Sequence, residues 1–144
     1  MYDTKEERIE HAGMLIREID QIGSSIRHES IRTRLEEMKR NLADLRDTQY
    51  LFDSGEKELI RLYERYMPYF KDILKQYASL EVSGNYDAIQ KSRLQLEQTV
   101  IKMNETIRAI IKILPQDEID EANARARAEE LQRMLEEQRR SVIK

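Results

Sequence analysis

The sequence predicts an all-α fold, an elongated antiparallel bundle of about five helices. Three observations carry that expectation. Apolar residues recur in steps of three and four along most of the chain, the period of a helix face. Charged residues make up 37% of the 144 positions and hydrophobic ones 40%, with only four Gly and two Pro to form the turns of a sheet. Ala, Leu, Glu, Lys, Arg, Gln and Ile dominate, and these residues favour long helices. The length is that of one domain with a real core, so residues 1–144 are read as a single unit.

The most apolar stretch, 59–80, is expected at the centre of the bundle. Leu59, Tyr63, Tyr66, Phe70, Ile73 and Tyr77 form its stripe, widened by Ile60, Met67 and Leu74. Pro68 removes one amide donor and crowds the carbonyl of Glu64, which predicts a kink in this central helix.

Taken in order, the predicted helices cover 4–26, 30–48, 54–80, 86–114 and 118–142. Asp3 is expected to cap the first, with Glu6 three residues on, and Ile9, Ala12, Ile16, Ile19 and Ile26 mark its face. Gly23, Ser24 and Ser25 end it; without that break the first two helices would be one rod. Ile31, Leu35, Met38, Leu42 and Leu45 give the second helix its seam. Asp53 and Glu56 have capping-box spacing at the start of the third. A turn over 81–85 leads to Asn85 as the fourth cap, with Asp87 in the first turn.

The fourth helix has the strictest repeat, Ile89, Leu96, Val100, Met103, Ile107, Ile110 and Leu114, and Pro115 is expected to stop it. Asp117 then starts a fifth with a different seam: Ala124, Ala128, Leu131, Leu135 and Val142. Glu129 with Arg133, and Glu136 with Arg140, have the spacing of solvated i,i+4 pairs. Short loops predict that successive helices are antiparallel neighbours.

Composition narrows function by exclusion. A net charge of −3 with both signs interspersed gives no footprint for nucleic acid. The absence of Cys excludes disulfides, thiolate metal sites and cysteine catalysis, and fits the cytoplasm. The first residues are charged, so no signal peptide is expected, and no apolar run reaches the roughly 20 residues of a membrane span.

One segment resembles a known family. Leu62, Tyr63, Glu64, Arg65, Tyr66, Met67 and Pro68, followed by Ile73, Leu74, Tyr77 and Leu80, are similar to the aromatic-x-x-Tyr-aliphatic-Pro core of the bacterial XpaC family. Ile19, Ile26, Ser30, Ile31, Arg32 and Leu35 resemble its lead-in, and the later repeats sit where it has its last helices. The family often carries membrane-spanning segments ahead of this region, and Tyr-Tyr where this chain has Arg65 and Tyr66. Its name implies hydrolysis of 5-bromo-4-chloroindolyl phosphate. Its members resemble companions of toxic-anion (tellurite) resistance proteins, which implies a protein partner, in the cytoplasm or at the inner face of the membrane.

No catalytic motif accompanies that resemblance. Phosphoester hydrolysis needs a nucleophile or metal-activated water and positive charge aimed at the phosphoryl oxygens, and no phosphate-binding Gly-rich loop is present. Glu7 and His11 could supply two metal ligands but not a full set. Asp117, Glu118, Asp120 and Glu121 offset a helix dipole as carboxylates in a first turn do. Arg61, Arg65, Lys71 and Lys75 read as a solvated face, and the tyrosines of 63–77 as core with hydroxyls reaching the edge.

The expected function is therefore a non-catalytic interaction module that needs no cofactor or metal. Its candidate partner surface is Arg125, Arg127, Arg133, Arg139 and Arg140 on the last helix, with Tyr69, which falls off the main stripe. A phosphoester hydrolase is the alternative. A self-assembling coiled coil, with the last helix paired to its copy, is the second alternative.

Overall fold

The computed structural model describes residues 4–143, with side chains from Thr4 to Ser141. It is all-helical, with no strand among the described residues. Helix α1 is Lys5–Gly23 and α2 is Glu29–Leu51. Helix α3 has three consecutive parts: Glu56–Arg61, a π-helical turn Leu62–Tyr66, and Met67–Ser83. Helix α4 is Tyr86–Ile143, a single helix of 58 residues and about 87 Å.

Among the described residues there are thus four helices rather than five, because Pro115 lies inside α4 and does not end it. Proline removes the amide that would bond to the carbonyl of Ile111, at a cost of about 3 kcal/mol. Strong helix formers on both sides, and a Leu114 carbonyl that accepts a hydrogen bond from Ser54 Oγ at 2.5 Å, hold the chain in line.

Pro68 meets a different solution. The turn before it is wound wider, with the Met67 amide bonded to the carbonyl of Leu62, five residues back. That extra residue moves the Glu64 carbonyl away from the position a proline ring would strike. It also shifts the phase of the stripe. Met67 is fully buried, whereas Tyr66, expected inside, is exposed.

Caps differ from the expected residues by small shifts. Asp3 lies outside the described residues; the cap of α1 is Thr4, whose hydroxyl accepts from the Glu7 amide at 3.1 Å. Asp53 does not cap α3 but pairs with Lys5 at 2.7 Å, which holds its carboxyl below the usual range. The cap position belongs to Gly55, whose φ of +80° no side chain adopts comfortably. Asn85 caps α4 as expected, its Oδ1 accepting from the Ala88 amide at 3.2 Å. The break between α1 and α2 is present, so those two are not one rod.

The principal packing pairs are α1 with α2, α1 with α3, α2 with α4 and α3 with α4. Consequently α2 and α3, although successive, lie mainly across the bundle from each other, and Gln49 bonded to Tyr63 joins them near their shared end. Cross-links give the directions. Glu18 with Lys71 at 2.7 Å, and the Arg27 amide with Glu81 at 2.6 Å, set α1 and α3 parallel. The Arg34 carbonyl with Asn104, and Asn41 with Arg108, do the same for α2 and α4.

A single core joins all four helices, with Leu15, Ile19, Ile31, Met38, Leu42, Leu45, Tyr63, Phe70, Tyr77, Leu96 and Ile107 fully buried. Each such side chain contributes roughly 1.5–3 kcal/mol of burial. The core stops at Leu114, the last buried residue of α4. The 52–55 connection closes that end: a Cβ on Gly55 would collide with the Leu114 side chain. Beyond it α4 projects for about 40 Å as an arm.

Candidate interaction surface

The arm is where the expected partner residues fall. From Ile119 to Ser141 every residue is exposed, including Arg125, Arg127, Arg133, Arg139 and Arg140. Leu131, Met134, Leu135 and Ile119 are each more than half exposed, which is unusual for large apolar side chains on one short stretch. The Arg133 guanidinium lies 3.9 Å from Glu130, so the ion pair formed is the i,i+3 one rather than that with Glu129. Such a pair on an exposed surface contributes little.

Leu131 and Leu135 align through a register that runs unbroken through Pro115, whereas Ile119 falls on the opposite face. The buried apolar positions of α4 are Leu96, Val100, Met103, Ile107, Ile110 and Leu114, in steps of four and three. Continuing those steps reaches Asp117, Glu121, Ala124, Ala128, Leu131 and Leu135. The seam that packs inward on α2 and α3 thus continues onto a surface covered by nothing in the described structure. On this seam Arg125, Arg127 and Arg139 are flanking positions. Arg133 and Arg140 lie on the opposite face of the helix. The five arginines therefore divide into two groups.

Tyr69 belongs elsewhere. It is 59% exposed, as expected, and lines an open groove between α3 and α4 with Tyr66, Gln95, Gln98, Thr99 and Lys102. The groove ends near Thr106, about 28 Å along α4 from Arg125, so Tyr69 and the arginines do not form one surface.

Buried polar clusters sit inside the body. Asn41 donates to Asn104 Oδ1 at 3.0 Å, and Arg108 donates to Asn41 Oδ1 at 2.6 Å, joining α2 to α4. Around the π turn, the Tyr63 hydroxyl accepts from Gln49 Nε2 at 2.9 Å and its ring meets His11 edge-on, with centroids 4.8 Å apart. Burial lowers the pKa of His11, and Lys71 adds to the effect while Glu18 opposes it. Of this cluster the sequence pattern marks only Tyr63 as interior.

At the other end Tyr77 donates to Glu81 at 2.7 Å while Arg93 donates to the Tyr77 oxygen at 3.3 Å. Burial alone would raise the Glu81 carboxyl. The Arg27 amide, the Tyr77 hydroxyl and the His28 amide donate to it, with Arg93 nearby, and together hold it below its usual range.

Among the described residues no three His, Cys, Asp or Glu side chains converge as metal ligands. Glu7 and His11 therefore gain no third ligand of that kind, nor do the carboxylates of 117–121. No described helix is long and apolar enough to cross a membrane. Comparison with protein-family models, curated proteins and solved structures finds no match.

Proposed function

We propose that this protein is an interaction module whose four-helix body presents the α4 arm as a docking helix for another helix. The observation that carries the reading is the in-register seam: Leu131 and Leu135 occupy core positions of the repeat yet are more than half exposed. The body serves to hold that seam away from its own core. The resemblance of 62–80 to the XpaC family supplies the partner class, a toxic-anion resistance protein in the cytoplasm or at the inner face of a membrane.

The test uses the full chain as bait beside Leu131→Glu/Leu135→Glu, a variant that touches nothing in the body. A partner held by the first and lost by the second supports docking through the seam. Identical capture by both contradicts it. Turnover of an indolyl phosphate, with or without Mg²⁺ or Zn²⁺, that disappears on His11→Gln would replace docking by the hydrolase reading.

A further inference from the structure

The arm's seam is asymmetric along its length, and that asymmetry selects a partner. Its proximal half offers Glu121, Ala124 and Ala128, and its distal half Leu131, Leu135 and Gln138. From these we infer that the occupant of the seam is a second copy of the same arm, running antiparallel. This rests on the reading of the arm as a docking helix and puts a copy of the chain, in place of a toxic-anion resistance protein, on its seam.

Three features point the same way. In an antiparallel pair centred between residues 129 and 130, Ala124 faces Leu135 of the copy and Ala128 faces its Leu131. Every apolar layer then joins one small and one large side chain, so the helices keep a constant separation. A parallel pair would stack Ala on Ala and then Leu on Leu, forcing the axes to diverge.

Charge agrees. Antiparallel pairing sets Glu121 opposite Gln138, which can donate to it, and Glu118 against Arg139 on the flank. Parallel pairing would gain Asp120 against Arg125 but place Glu121 against Glu121 at the seam itself, a like-charge contact at the least solvated position.

Continuity with the body is the third feature. The same register already packs the first half of α4 against its neighbours, so the arm arrives with the geometry of a packing seam. Antiparallel pairing also sends the two bodies to opposite ends of the paired arms, where they do not compete for space. Arg133 and Arg140, on the far face, stay open for a further partner.

The experiment is light scattering of the full chain over a micromolar to millimolar range, beside Leu131→Glu/Leu135→Glu. A dimer mass for the first and a monomer mass for the second is the expected result. Since the chain has no cysteine, one spin label at Ser141→Cys reads the orientation. Label separations near 35 Å are expected from about 1.5 Å per residue, whereas a parallel pair would bring the labels within roughly 20 Å. A monomer at every concentration, a dimer that survives both Leu substitutions, or a short separation overturns the proposal. A monomer that still loses a captured partner on Leu131→Glu/Leu135→Glu overturns self-pairing while leaving the docking function standing.

Discussion

Asn41 and Asn104 each lose a side-chain amide partner if the other is removed, and both are almost fully buried at the α2–α4 contact. Asn104→Ala is expected to cost about 1–3 kcal/mol in urea unfolding, the penalty of an unsatisfied buried amide. Asn41→Leu/Asn104→Leu should recover much of that loss, with a positive coupling in a double-mutant cycle. Additive losses would contradict the pairing. His11 gives a second residue-level prediction. Its pKa is lowered in the fold, so the unfolded chain binds the proton first as pH falls through about 6.5, and stability drops on acidification. His11→Gln should flatten urea midpoints between about pH 7 and 5, and an unchanged slope would sink this assignment. The Glu81 contribution lies lower: its pKa is depressed, so its stabilisation holds above the usual carboxylate range and is lost as pH falls through the folded value. None of these pairings was legible in the sequence, because buried polar partners come from helices 14 to 63 residues apart whose rotation the periodicity does not specify.

At the scale of elements the periodicity read well. The α2 seam of Ile31, Leu35, Met38, Leu42 and Leu45 is buried throughout, and so is the α4 seam from Leu96 to Leu114. The two prolines differ: the expected stop at Pro115 is absent, and Pro68 follows a π turn. Pro115 was given the weight of a stop although the steps on either side of it share one register, a signal present in the spacing. Pro68 is met by a π turn, and no periodicity announces an inserted residue, so Tyr66, expected on the stripe, is exposed while Met67 is buried as expected. The capping glycines yield a prediction here. Both Gly55 and Gly84 have positive φ, but a Cβ at Gly84 meets open space while one at Gly55 strikes Leu114. Gly84→Ala should cost about 1 kcal/mol, the ordinary left-handed penalty. Gly55→Ala should cost more by thermal unfolding, and an equal cost would show that the connection gives way freely. Pro115→Ala restores an amide to the Ile111 carbonyl, so amide exchange in the arm should slow while the melting of the body stays nearly the same.

Across the whole molecule the sequence made the fold class plain and the arrangement of helices much less so. Amphipathic faces say that helices pack, but the diagonal placement of α2 and α3 follows from the 52–55 connection gripping α4 at Leu114, a long-range contact. The exposed arginines were found because composition alone marks a solvated helix. That they split across two faces, away from Tyr69, needed the register and the fold together. The central claim is that the body is complete by Leu114 and that the arm exists to meet another helix. Urea unfolding at micromolar concentration of a chain truncated after Asp117, beside the full chain, addresses it most directly. The account predicts the same midpoint and the same cooperativity for both, and a truncated chain that unfolds early or without cooperativity would contradict it.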